Sequence, residues 1–203
     1  MAKIKQSPKQ PAEKRREQLL KAARELFHKK GYRETTTEEI ARRARLTKGA
    51  LYHHFRNKED VLYELIVDIS RRRRERLLER VAKGAAPAQV LKIILADEDR
   101  WFRHDWNYHI DIWLQAMKLP RIRRLMTEQM ELFIEILTDR LDRRFGNQKQ
   151  RRNMALFTLS LFHGLYVRKI LGPDLINVTA QTRLFGSLLA TSNLYKPVRK
   201  RNK

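Results

Sequence analysis

The chain has 203 residues, no cysteine, and 45 lysines and arginines against 23 acids, a formal charge of +22. That length suits one ordinary domain or a small one joined to a larger one, and the missing cysteines exclude disulfides, thiolate catalysis and cysteine-held zinc. So basic a balance favours a polyanionic partner, nucleic acid or an anionic surface.

The opening "MAKIKQSPKQPAEKRR" has charge but none of the apolar core of a secretory signal. The most apolar later stretch, "MALFTLSLFHGLYV" (154–167), is too short and too polar to span a bilayer. The expectation is a cytoplasmic protein with no membrane partner. Charge is concentrated early: 17 basic and 6 acidic residues lie within the first 58, a net +11, and the other 145 residues share the remaining +11. A polyanion-binding module is therefore expected at the N-terminal end.

Only seven glycines and six prolines occur, and no run alternates with strand period, so the fold class expected is all-α. From Glu13 to Lys30, the residues Leu19, Leu20, Ala23, Leu26 and Phe27 form an apolar stripe at helical spacing, and Gly31 is a natural stop. "TTEE" (36–39) reads as a capping box with Thr36 as N-cap and Glu39 reaching back, opening a short helix through Ala44. Thr47 caps a third helix from Lys48. Asn57 caps a fourth, whose first turn carries Glu59 and Asp60 and which runs past Arg71–Arg74 to Lys83. The boundary between two modules is expected along this fourth helix. Pro87 and Pro120 each open a further helix. Gly146 ends the sixth, Asn147 caps the next, "GPD" (172–174) makes a turn, and a last helix covers about 178–192. Four consecutive arginines spread over all sides of a helix, so Arg71–Arg74 reads as a solvated, partly ion-paired face.

The third helix, "TKGALYHHF" (47–55), has a thin apolar stripe and a crowded polar face. With Leu51 inward, Phe55 and Thr47 each lie about 40° away, while Arg56, Gly49 and His53 fall about 140–200° round and point out. Tyr52, Ala50 and Lys48 flank them, and His54 sits nearer the buried edge. Adjacent histidines diverge by about 100° and cannot share a metal. A capped helix, a short turn and a second helix with a polar outer face make a helix-turn-helix, whose second helix enters a DNA major groove.

Residues 31–66, "GYRETTTEEIARRARLTKGALYHHFRNKEDVLYELI", resemble the DNA-binding segment of the TetR family of bacterial transcriptional regulators. Gly31, Thr36, Ile40, Ala41, Ala44, Lys48, Gly49, Leu51, Tyr52, Phe55, Lys58 and Glu59 carry the likeness. "IWLQAMKLPRIR" (112–123) is similar to an Ala-x-x-x-Pro-x-x-Arg pattern of many members. Arg45 departs from the family's usual glycine; a left-handed conformation there costs roughly 1 kcal/mol, which contact with phosphate offsets.

The resemblance implies a homodimer on a pseudo-palindromic double-stranded DNA operator, usually as a repressor released by a small-molecule inducer. Thr36 and Thr37 then bond phosphate. Thr47, Lys48, Tyr52 and His54 grip the backbone or nearby base edges, and Lys58 clamps a further phosphate. His53, Lys48 and the Gly49–Ala50 surface read bases. Leu46, Leu51, Phe55, Leu26 and Phe27 belong to the core. The implied organisation is a flexible basic arm over 1–12, a helix-turn-helix domain over 13–58, a helical ligand-binding and dimerisation domain over 59–195, and a basic tail over 196–203. The arm is placed to lie along a minor groove.

In the larger part, 154–167 and "TRLFGSLLATSNLY" (182–195) supply apolar faces either for a four-helix dimer interface or for the subunit's own core. "RWFRHDWNYHIDIW" (100–113) gathers aromatics around a few polar groups, which suits a small-molecule pocket at Trp101, Asp105, His109 and Trp113, with His163 from another helix. Aromatics at helical spacing suit a core equally, and Asp105 with His109 also suits a surface pair. Two ligands are too few for a metal, so no metal and no cofactor is expected. Two other functions stand beside the regulator: a sequence-indifferent DNA-compacting protein, suggested by the charge, and a metal-dependent enzyme built on His104–Asp111, which no nucleophile elbow, phosphate loop or HExxH-type motif supports.

Overall fold

The computed structural model describes residues 12–172 and 177–191, with side chains for all of these except 96–110, 166, 169–170, 178 and 191. The basic arm (residues 1–11 of it), the basic tail and most of the "GPD" turn lie outside the described residues.

Among the described residues there are eight α-helices, one short 3-10 helix and no strand: α1 (Ala12–Lys30), α2 (Thr37–Arg43), α3 (Lys48–His54), α4 (Lys58–Arg80), α5 (Pro87–Lys118), α6 (Pro120–Arg140), the 3-10 turn Arg143–Phe145, α7 (Gln148–Leu171) and α8 (Val178–Thr191). Their ends follow local chemistry. Gly31 stops α1 with a φ of +86°, in the left-handed region that glycine enters freely. Thr36 and Glu39 close a reciprocal capping box on α2. The Thr47 hydroxyl accepts from Ala50 N at 3.1 Å and Asn57 Oδ1 accepts from Asp60 N at 2.9 Å. Asn147 and Gln150 form a second capping box on α7. Prolines open α5 and α6, where their missing N–H costs nothing.

Two ends differ from the sequence expectation. The fourth helix stops at Arg80 rather than Lys83, because Gly84 N and Ala85 N turn to bond Arg140 O. The sixth stops at Arg140 rather than Gly146. An isolated bridge between Ala85 and Leu141 diverts the chain, and Asp142 then caps the 3-10 turn that Gly146 ends.

The chain packs as two compact units: one takes Met1–Ile69 with Asp105–Met126, the other Ser70–His104 with Thr127–Lys203. The first therefore includes the start of α4 and the corner between α5 and α6, more than the helix-turn-helix alone. Its core contains Leu19 and Phe27 of α1, Ile40 of α2, Leu51 of α3, Val61 and Leu62 of α4 and Ile122 of α6, each fully buried. Phe55 is buried, while Leu26 and Leu46 pack against this core partly exposed. The Ala-x-x-x-Pro-x-x-Arg pattern has a structural meaning here. The Arg123 guanidinium reaches back to Ala116 O at 3.2 Å and Met117 O at 2.5 Å, bonding carbonyls of the last turns of α5.

In the second unit, α7 buries Ala155, Leu159 and Phe162 against Leu91, Leu137 and Phe185. Its opposite side leaves Leu156, Phe157, Val167 and Leu171 exposed, and α8 exposes Leu184 and Leu188. Phe157 and Phe185 rings lie 5.9 Å apart, so the two helices are neighbours. The core reading of this apolar stretch is met by one face, and the other face is exposed.

Candidate nucleic-acid interface

Helices α2 and α3 are joined by a tight turn over residues 44–47. Leu46 N bonds Ala41 O at 2.9 Å and Arg45 N bonds Arg42 O at 3.0 Å, the paired bonds of a Schellman stop. This motif puts its C′ residue in the left-handed region, and Arg45 has a φ of +58°. It is the one positive-φ residue other than glycine among those described. The strain expected there costs roughly 1 kcal/mol.

On α3, Leu51 is fully buried while Tyr52, His53 and Lys48 are exposed, as the helical geometry required. His54 is half-buried; burial first, then the neighbouring His53 and Arg16 charges, push its pKa down. A Cβ on Gly49 would meet only Thr47 Oγ1, at 3.8 Å, so nothing in the protein's own packing calls for glycine there. Ala50 lies beside it, half-buried.

The first turn of α2 completes this face. Thr37 Oγ1 donates to Glu38 Oε2 at 3.1 Å and lies 3.2 Å from the Tyr52 hydroxyl. Glu38 forms an ion pair with Lys48, whose ammonium also lies 5.8 Å from the Tyr52 ring centroid. Bonding to Glu38 raises the Lys48 pKa, and bonding to Lys48 lowers that of Glu38. Thr37, Glu38, Lys48 and Tyr52 thus form a closed polar ring across the two helices. Glu38 was not singled out from the sequence, because 36–39 was read as a capping box in which Glu39 is the acid that matters.

Two assigned residues have other work. Thr36 is the α2 cap: its hydroxyl accepts from Glu39 N at 3.2 Å and donates to Glu39 Oε2 at 3.0 Å. Bonds from Lys30 and from Thr36 hold the Glu39 carboxyl down at about 2. Lys58, expected on phosphate, instead gives Nζ to Tyr32 O at 2.8 Å, Arg33 O at 3.1 Å and Thr35 O at 2.7 Å. An ammonium has three donors, and all are spent. Desolvation lowers its pKa, against the opposing pull of Asp111. The Tyr32 ring lies 4.5 Å from this ammonium and packs edge-on to Phe27. Lys58 therefore ties the start of α4 to the loop after α1, and its phosphate role is withdrawn.

Asp111 of α5 braces the same loop. Its carboxylate accepts from Tyr32 N and, at 2.8 Å, from Gln115 Nε2. From sequence it was one member of a His/Asp cluster; no local signal marks a partner 79 positions away. Of the residues assigned to a pocket, the side chains of Trp101, Asp105 and His109 lie outside the described residues. Trp113 is 47% exposed, on the face of α5 opposite the buried Ile112 and Gln115. His163 belongs to the other unit; burial, then the Arg73 charge, depress its pKa to about 4.

The model of bacterial regulatory proteins of the tetR family matches residues 19–65, the segment that builds this face. Residues 19–65 are a DNA-binding segment of the TetR type. It is similar to the HTH-type transcriptional regulator BetI of Cronobacter sakazakii, 28% identical over 174 residues, 83% of this chain and 86% of that protein. The HTH-type transcriptional repressor AcnR of Corynebacterium efficiens is 26% identical over 148 residues, 72% of this chain and 74% of its own. Among solved structures, a putative transcriptional regulator from Saccharomonospora viridis in complex with choline superposes with a TM-score of 0.71 at 17% identity, over 89% of this chain and 97% of that one. At that identity the likeness speaks for the fold. With this segment, the chain is a DNA-binding transcriptional regulator with a helix-turn-helix.

Proposed function

We propose that the protein acts as a homodimeric repressor that leaves a pseudo-palindromic operator when a small molecule binds. The observation that carries this reading is the presence of two exposed surfaces, one polar and one apolar, on one chain. One is the polar face of α2 and α3, with Thr37, Thr47, Lys48, Tyr52, His53 and His54 beside the open backbone at Gly49 and Ala50. The other is the uncovered apolar face of α7 and α8, where Leu156, Val167, Leu171, Leu184 and Leu188 recur at helical spacing. One short reading helix per chain supplies few base contacts, and a second copy seated on the apolar face doubles them.

Arg45, strained and exposed at the turn, is the residue this reading assigns to a phosphate. The repressor role is carried over from the AcnR relative and the binding of a small molecule from the choline-bound neighbour; release by it is what the family resemblance implies. The aromatic stretch 100–113 is the place proposed for that ligand. No helix among the described residues is long and apolar enough to cross a membrane.

The +22 charge also suits a sequence-indifferent compacting protein, and one titration separates the two. Duplexes enriched by the protein from a randomised pool are compared with random duplex of equal length at fixed salt. The regulator is expected to favour the enriched duplex by at least ~10³-fold. A ratio near unity overturns the reading in favour of compaction.

A further inference from the structure

Resting on the DNA-reading role just proposed, we infer that Glu38 is a specificity-determining residue: it holds the Lys48 ammonium back from the phosphate backbone and aims its remaining donors at a base edge.

A carboxylate is out of place on a surface meant for a polyanion, and Glu38 sits in the middle of one. It is exposed, on the first turn of α2, bonded to Thr37 and paired with Lys48 of α3. The Lys48 ammonium also lies over the Tyr52 ring, whose hydroxyl is 3.2 Å from Thr37 Oγ1. The strength of one exposed ion pair is small, so the consequence lies in charge and direction. If Lys48 swings to a phosphate, Glu38 is left unpaired beside the DNA, and the pair as a whole neutralises no phosphate. If Lys48 keeps Glu38, two of its three donors stay free. Guanine N7 and O6 present two acceptors side by side in the major groove, a fitting partner for them.

For a chain this basic, non-specific adhesion to DNA is the default. Every lysine free to reach phosphate adds to binding on all sequences alike. Glu38 removes the lysine of the reading helix from that general pool and reserves it for sites with the right base edge. Arg43 is similarly engaged by Glu25, at 2.7 Å, on the other side of α2, but that pair lies between α1 and α2 and touches no residue of α3.

The test uses Glu38→Gln, Lys48→Ala and the double variant in the full-length chain. Each is titrated on the duplex enriched by the parent protein and on random duplex over a salt series. Glu38→Gln is expected to tighten random-duplex binding, steepen its salt slope by about 1 per subunit as Lys48 joins the phosphate contacts, and lower the enriched-to-random ratio about tenfold, the scale of one lost base contact. Lys48→Ala is expected to weaken the enriched duplex alone in the parent background, and both duplexes in the Glu38→Gln background. Glu38→Asp, keeping the charge, is expected to restore most of the ratio. An unchanged ratio and slope in Glu38→Gln, with the parent still selective, overturns the inference and leaves the regulator standing. A parent that enriches no sequence overturns the regulator reading first.

Discussion

The two exposed surfaces of this chain differ in how their chemistry is stored. On the α2–α3 face nearly every polar group already has an intramolecular partner: Thr37 with Tyr52 and Glu38, Glu38 with Lys48, Thr47 with the α3 backbone. Pre-bonded side chains meet DNA in a fixed arrangement, so little ordering remains for the complex. The exposed part of the α7–α8 face is built of apolar side chains instead. Leu171, Leu184 and Leu188 are 82%, 54% and 58% exposed, and in the proposed dimer a second copy buries them. One face is organised within the chain; the other, on the proposed reading, is completed by a second copy.

The largest expected effect breaks the second face. Leu184→Lys with Leu188→Lys removes two apolar contacts, worth about 4 kcal/mol or ~1,000-fold in subunit affinity if both sit at the centre of the interface. Sedimentation is expected to show a monomer with unchanged helix content and lost operator binding. A dimer that survives both changes places the subunit contact elsewhere.

A second effect is confined to the unit carrying α7. The His163 imidazole sits at about 4, well below the ordinary value near 6.5. Between those two pH values the unfolded chain takes up a proton and the folded chain does not, so stability is present above pH 6.5 and falls as pH drops towards 4. The loss is up to about 3 kcal/mol. Denaturant melts from pH 7.5 to 4 are expected to show that decline, and His163→Leu is expected to flatten it. The same decline in the variant would assign it to other groups.

Next comes Lys58, where a phosphate contact and a structural lock give opposite results. Removing an ammonium that satisfies three carbonyls costs roughly 2–3 kcal/mol. Lys58→Met should therefore lower the melting temperature of the helix-turn-helix unit and leave the salt slope of DNA binding unchanged. A slope lowered by about 1 per subunit with stability intact would restore the phosphate role.

These cases also show what the sequence made legible. Caps at Thr36, Thr47, Asn57 and Asn147 were readable because each bonds within three residues of itself, and periodicity placed Leu51 inward and His53 outward by simple rotation. The partners of Lys58 and Asp111 were not legible because they are backbone groups 23 to 79 positions away. Backbone carbonyls leave no mark in a residue pattern. Glu38 was overlooked for a different reason: 36–39 was read as a capping box, in which Glu39 is the acid that matters. Which side of α7 fills the core was equally hidden, since the helix is apolar nearly all round.

The smallest effect sharpens the first face. Arg45→Gly relieves the left-handed strain and is expected to raise the melting stability of the helix-turn-helix unit by up to about 1 kcal/mol. The same variant should bind DNA slightly more weakly with a shallower salt slope. Unchanged binding would leave Arg45 as strain without a compensating contact.

The central claim is that two copies of this chain, joined away from the DNA, present two reading helices about 34–36 Å apart to successive major grooves. Light scattering of the protein on a saturated, enriched duplex measures this most directly. The account predicts a mass of two chains per duplex, on a sequence with two inverted half-sites. One chain on a saturated single site would contradict it.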